Sequence, residues 1–250
     1  MSEQANIIKI KIPLTYLNEI IISIGIDRHQ YHDNFKTVRT RTPYPLVFGG
    51  EESVRSSMFV KPNAYAHLKS DNAKQIYEKY ANRILIPDRI RWNTTHVIAL
   101  YSTEPVLSNM FYAVKLNVPD EVREYAEKAF VLWLNTTWGI LTVLLGREET
   151  EGAWTSLKIG QWRLLKVLDI TALKQDILKK LASIFDSYAD KILRRIPEQF
   201  NPMNPDPIRL DIDRSFIKTF DPSVSDEILK NKLIDLYRRI YTSLQQWIRR

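Results

Sequence analysis

The chain of 250 residues contains no cysteine, only 7 glycines and only 4 histidines. Without cysteine there are no disulfides, no thiolate metal site and no cysteine nucleophile, and a reducing, cytoplasmic setting is expected. The same absence also suits a thermophile that avoids labile side chains. Few glycines beside 27 aromatic residues (Trp 6, Tyr 12, Phe 9) is the reverse of a disordered composition. No run of about 18 apolar residues exists, so no membrane span is expected, and no basic stretch leads into an apolar core at the start, so no signal peptide is expected. No GxGxxG or GxxxxGK[ST] is present, which removes the usual nucleotide loops. Neither GxSxG nor HExxH occurs.

What is present is positive charge. Lysine and arginine number 36 against 29 acidic residues, for a net charge of +7. That permits an anionic partner without requiring one.

Taken in order, residues 7–12 alternate isoleucine with Lys9 and Lys11, the period of a half-exposed strand. Leu14, Leu17, Ile20, Ile21 and Ile24 have the spacing of one helix face, with Gly25 as its cap. Residues 27–45 then interleave Arg28, His29, His32, Lys36, Arg39 and Arg41 with Tyr31, Phe35 and Tyr44. That mixture suits phosphates and bases, and equally suits a solvated loop with a few rings tucked inward. His29 and His32 have no further clustered ligand, so no metal is expected. Strands are predicted at 45–48, 83–87, 94–101 and 110–116, and a helix at 71–80. A basic loop at 88–93 carries Arg89, Arg91, Trp92 and Asn93.

One long helix is predicted from Pro119 to Gly146, opened by proline and then acids. Its apolar face thickens toward Trp133, so Trp133, Leu134 and Leu141 are expected in the core. The acidic run at 148–151 reads as a solvated turn. A helix capped by Asp169 or Thr171 and running to about Arg195 carries Leu173, Ile177, Leu181, Ile184, Tyr188 and Ile192 as its buried stripe. Residues 201–207 are irregular, and a short helix follows at 211–220. The last helix, 223–250, carries Leu229, Leu233, Leu236, Ile240, Leu244 and Trp247 at steps of three and four. That stripe packs on this domain, on a partner subunit or on a second copy of the chain.

The fold expected is therefore α+β. A small mixed sheet packed with helices fills residues 1–196, and a largely helical extension fills 197–250.

Four blocks carry a resemblance. The first is residues 35–50, with Tyr44-Pro45 before a short apolar strand and Gly49-Gly50 after it. The second is Leu85-Ile86-Pro87-Asp88-Arg89-Ile90-Arg91-Trp92-Asn93-Thr94-Thr95. The third is Pro105-Val106-Leu107-Ser108-Asn109-Met110-Phe111-Tyr112. The fourth, 128–168, holds the Leu134-Asn135-Thr136-Thr137 step, a charged turn, and Lys158-Ile159-Gly160-Gln161-Trp162-Arg163-Leu164-Leu165-Lys166-Val167-Leu168. In order and spacing they resemble the target-recognition region at the C-terminal end of adenine-N6 DNA methyltransferases of restriction-modification type. The resemblance implies a part that grips DNA and reads bases while a separate core binds the methyl donor. The catalytic motifs of that core are absent. Asn201-Pro202-Met203-Asn204-Pro205 lacks the second proline and the aromatic of the Asn/Asp-Pro-Pro-aromatic loop and reads as a linker. No cofactor is therefore expected.

On this reading the DNA-binding residues are Arg39, Arg41, Arg89, Arg91, Trp92, Asn93, Lys158, Gln161, Trp162 and Arg163. The partners are double-stranded DNA and a separate methyltransferase subunit. Two other readings stay open: an assembly subunit that docks through its last helix, and a metal-dependent nuclease whose acids form no recognised pattern. Because the methyl-donor motifs are missing, calorimetry of S-adenosylmethionine against the isolated chain is expected to give no binding heat; a micromolar affinity would overturn the resemblance.

Overall fold

The structure, a computed structural model, describes residues 11–49, 52–146 and 153–248. The alternating strand expected at 7–12 lies almost wholly outside these residues, as do Gly50 and the acidic run 148–151.

The fold is α+β. Its frame is a seven-stranded mixed sheet in the order β2 (Ile21–Ile24), β9 (Phe111–Leu116), β6 (Asn82–Pro87), β8 (Leu100–Ser108), β4 (Pro45–Val47), β5 (Ala64–Leu68) and β3 (Phe35–Val38). All its pairings are antiparallel except β4 with β8. The strands of the middle are apolar on both faces, as strands covered on both sides are: Ile84, Leu85 and Ile86 are all fully buried. In β8 the register jumps from Ile84↔Tyr101 to Asn82↔Val106, so the exposed Thr103, Glu104 and Pro105 bulge outward. Two ribbons complete the strands: β1 (Leu14–Tyr16) with β11 (Lys166–Leu168), and β7 (Arg89–Arg91) with β10 (Trp154–Ser156).

Several expectations give way to tertiary pairing. Residues 14–24 form β1, a 3-10 turn at Leu17–Glu19 and β2, not a helix. Leu17, Ile20 and Ile24 are buried as the spacing suggested, but Leu14 is exposed. The β-branched run at 20–22 takes an edge place beside β9. Residues 27–45 are not simply a loop. Asp27 caps α1 (Arg28–Asn34) by accepting from the Gln30 amide at 2.8 Å, and β3 follows at once. The strand expected at 94–101 begins only at Leu100. Helix α2 (Ala73–Tyr80) falls where it was expected.

The largest departure is at the centre. The helix expected over 119–146 is two helices, α3 (Asp120–Leu134) and α4 (Thr137–Leu145), meeting at a bend of 67°. Asn135 makes the break. Its side chain is fully buried and serves as a strand surrogate for the segment before β8. Oδ1 accepts from the Ile98 amide at 2.7 Å, and Nδ2 donates to the Ala99 carbonyl at 2.8 Å. Thr136 then caps α4 through the Gly139 amide. Position 139 needs glycine, because a Cβ there would lie 2.2 Å from the Trp133 carbonyl oxygen.

The C-terminal helices close around this break. They are α6 (Gln175–Tyr188), α7 (Ile196–Gln199), α8 (Pro207–Phe220) and α9 (Asp226–Ile248). Asp169 caps a 3-10 turn at Ile170–Ala172, and α6 starts only after Lys174. Its buried stripe runs through Leu178, Leu181, Ala182 and Phe185, while Ile192 is exposed. Arg209 and Asp213, one turn apart on α8, are both fully buried. Arg209 Nη1 donates to the Asn135 carbonyl, and Nε and Nη2 fork onto Gln199 Oε1 at 2.8 and 2.6 Å. Asp213 accepts from the Thr137 amide at 2.9 Å, from the Thr137 hydroxyl and from the Tyr237 hydroxyl at 2.6 Å. Burial pushes the Asp213 carboxyl above its usual range, against the pull of Arg209 and these donors.

The apolar stripe of α9 faces inward, with Leu229, Leu233, Tyr237, Ile240 and Leu244 buried. A docking face on a second copy is therefore not needed to cover it. Among the described residues no single helix is long and apolar enough to cross a membrane. Trp133 and Leu134 are buried as expected, while Leu141 is only half-buried.

Removing Asp213 leaves the Thr137 amide, the Thr137 hydroxyl and the Tyr237 hydroxyl without an acceptor, and the Arg209 guanidinium without its neighbouring carboxylate. Asp213→Ala should cost about 3–5 kcal/mol in urea unfolding, and Trp133→Ala about 3–5 kcal/mol as a large core truncation. Losses under about 1 kcal/mol would mean that these sites are loosely packed.

Candidate nucleic-acid interface

Where β6 leaves the sheet at Pro87, the chain turns directly into β7, and β10 pairs with it antiparallel. The register sets Trp154 against Arg91, Thr155 against Ile90 and Ser156 against Arg89. Alternation along β7 sends Ile90 into the core and both arginines outward. The ribbon is tied at both ends, by the Leu157 amide to the Asp88 carbonyl (3.0 Å) and the Trp92 amide to the Ala153 carbonyl (2.9 Å).

Two indoles hold this unit, one across the ribbon and one to the frame at Pro87. Trp92 Nε1 donates to Thr155 Oγ1 at 2.8 Å, locking one strand of the ribbon to the segment after the other. Trp162, on α5 (Ile159–Arg163), donates from Nε1 to the Pro87 carbonyl at 2.9 Å. Both rings are fully buried, so they are anchors and offer no face to an outside ligand. Lys158 and Arg163 flank Trp162 on α5 and are exposed. Arg89, Arg91, Lys158 and Arg163 thus project from one unit whose backbone is held by the core.

The amides are less available than the arginines. Gln161 Oε1 accepts from the Lys158 amide at 2.7 Å, helping to start α5. Asn93 is half-buried, and its Oδ1 is enclosed without a hydrogen-bond partner.

Arg39 and Arg41 are exposed in the loop after β3, the opposite edge strand. Four strand spacings separate β3 from β6, on the order of 19 Å along the sheet.

Next to the ribbon lie residues that the sequence did not mark as DNA-binding. Asp88 is paired with Arg28 at 3.3 Å, and burial raises its carboxyl above the usual range against the pull of Arg28, Arg89 and Arg55. Arg55, from the 3-10 turn Glu52–Arg55, is only 8% exposed and sits 4.8 Å from the centroid of the Phe111 ring. Trp154 is half exposed, and the Arg91 guanidinium lies over its ring at 5.4 Å. Arg55 stands in a short 3-10 turn without periodicity, so no pattern marks it. Trp154 lay within the resembling stretch but was not singled out. Among the described residues no group of three or more His, Asp or Glu could hold a metal ion.

Glu52 joins this region to the buried interior. Its carboxylate accepts from Arg195 Nε at 2.7 Å and meets His96 Nε2 at 2.9 Å. The Arg195 bond, then the His96 bond, hold its pKa at about 2, below the ordinary 4.5. A depressed carboxylate stabilises the fold fully above its unfolded pKa, and that contribution fades as pH falls toward the folded value.

A scan of protein-family models and a search of curated proteins find no match for this chain. Among solved structures, the fold is similar to part of the type IIG restriction endonuclease BpuSI, with a TM-score of 0.51 at 11% sequence identity. The likeness covers 92% of this chain and 32% of the endonuclease, so this chain spans about a third of that protein's length.

Glu52→Gln should flatten the acid side of the stability profile. The fall in urea midpoint from about pH 5 to about pH 3 should be smaller than in the native chain. An unchanged fall would mean that Glu52 does not hold these partners in solution.

Proposed function

We propose that this chain is a DNA-binding target-recognition module without catalytic activity of its own, acting beside an adenine-specific DNA methyltransferase within a restriction-modification system. The observation that carries the reading is the β7–β10–α5 unit. It presents Arg89, Arg91, Lys158 and Arg163 from a backbone pinned by two buried tryptophans. Duplex phosphates are fixed in space, so cations that grip them gain most when they are already positioned. Arginine adds forked donors that match a phosphate, and lysine adds a point charge. The likeness to part of a restriction endonuclease supports the same setting.

Arg39 and Arg41, on the far edge, form a second and outlying contact in this reading. Base reading falls to the groups nearest the ribbon. Gln161 keeps its amide donor for a base edge while its oxygen serves α5. Asn93 must turn outward to read adenine at N6 and N7. The apolar face of α9 is spent inside the chain, which leaves the assembly-subunit reading without its motivating surface.

Replacing Arg89, Arg91 and Arg163 together with alanine, and titrating a duplex at several salt concentrations, tests the reading. Each lost phosphate contact should flatten the log–log salt slope by about 0.9 and weaken binding to any sequence. Gln161→Ala should instead change which sequence is preferred. Native affinity and slope in the triple variant would remove this face from DNA binding.

A further inference from the structure

Between the 3-10 turn Glu52–Arg55, β7 and Trp154 lies a cavity of about 270 Å³. Three arginines line it, Arg55, Arg89 and Arg91, together with Trp154. The one carboxylate on its wall among the described residues is Glu52, and Arg195 and His96 already engage it. The wall itself therefore offers the three arginines no free carboxylate; Asp88, outside the lining and paired with Arg28, is the acid that pulls on Arg55 and Arg89.

Arg55 is the least satisfied of them. It is 8% exposed, and its Nε is buried without a hydrogen-bond partner. Its Nη1 donates to the Arg89 carbonyl at 3.3 Å, and among the described residues no carboxylate lies within ion-pair distance. Burial lowers its pKa, yet a guanidinium keeps its proton in a protein. A buried, under-paired cation is costly unless something supplies the missing acceptor. An anion in the cavity would do so, in surroundings where little water competes.

The part of the lining that Trp154 supplies, beside Arg91, is chemically different. The Trp154 ring carries the Arg91 guanidinium on its face and is half exposed. Such a ring stacks well with a nucleobase, whose binding to aromatic platforms tolerates any sequence. A bare phosphate would leave that part unused and most of the volume empty.

We propose that this cavity binds one nucleotide, its phosphate on Arg55, Arg89 and Arg91 and its base against Trp154. The nucleotide comes either as a free monophosphate or as a single unpaired unit of a DNA strand. The inference shares Arg89 and Arg91 with the proposed duplex grip and rests on that reading where the nucleotide belongs to a strand, but binding of a free nucleotide needs neither Lys158 nor Arg163.

The test uses the full chain, with calorimetry and tryptophan fluorescence. The probes are a deoxynucleoside monophosphate, its nucleoside, inorganic phosphate, a fully paired duplex and the same duplex with one unpaired nucleotide. The monophosphate should bind more tightly than the nucleoside or inorganic phosphate and should change the Trp154 emission, a change that Trp154→Phe removes. Binding of the free monophosphate assigns the site to free nucleotides. Preference for the duplex with the unpaired unit, without binding of the free form, assigns it to a strand. Arg55→Ala and, separately, Arg91→Ala should each weaken the binding at least about tenfold. Arg91 is exposed, so its variant reports even where loss of Arg55 unfolds the chain. The proposal fails if neither the monophosphate nor the unpaired duplex gains over its control. It fails equally if Arg91→Ala leaves that gain intact, or if inorganic phosphate binds as tightly as the nucleotide.

Discussion

The break at Asn135 holds the two halves of this protein to each other. A polar residue in the middle of an apolar helix ends it, and its amide then does the work of a neighbouring strand for Ile98 and Ala99. The carbonyl left over at the helix end is claimed by Arg209, and the first turn of α4 by Asp213. Both partners come from α8, over 70 residues later. Buried polar groups of this kind contribute little net stability but penalise every arrangement that leaves them unpaired. They fix how the C-terminal helices seat on the sheet.

That seating matters at the surface because the same frame carries the ribbon. His96, just before the segment that Asn135 binds, reaches Glu52 on one nitrogen and the Leu193 carbonyl on the other. Gln199 ties the His96 carbonyl to Arg209. A chain of hydrogen bonds thus runs from the buried break to the wall of the arginine-lined cavity. The two tryptophans complete the support from the other side, each using its single donor on the backbone or side chain of the β6–β7–β10 region. A charged surface on such a support is already in place before any partner arrives, which lowers the ordering cost of binding.

Much of this was legible in the residues, for reasons that are physical. The Ile84-Leu85-Ile86 run, α2 and the starts of α3 and α9 are local patterns, and they fold as read. The reading at 14–24 failed because apolar residues at helical spacing also satisfy an edge strand once β9 and β11 are there to pair with it. The long central helix failed because Asn135 is ambiguous alone; its partners at 98, 99 and 209 are distant in sequence. Arg89 and Arg91 meet residues 154–156 because a hairpin-like pairing closes over more than 60 positions, and Trp162 ties α5 to the Pro87 carbonyl; no local pattern carries either contact. Trp92 and Trp162 stand among the expected DNA-binding residues, whereas burial makes them anchors. Arg55 and the cavity next to the ribbon had no sequence signature at all, since they depend on a short turn meeting three other segments.

The most direct test of the account is where a duplex touches the chain. A photocrosslinking amino acid placed at position 91 or 163, and at Lys230 on the exposed side of α9 as a comparison, reads this position by position. The account predicts crosslinks to duplex DNA from 91 and 163, diminishing with added salt, and none from 230. Crosslinking from 230 with none from 91 or 163 would contradict it.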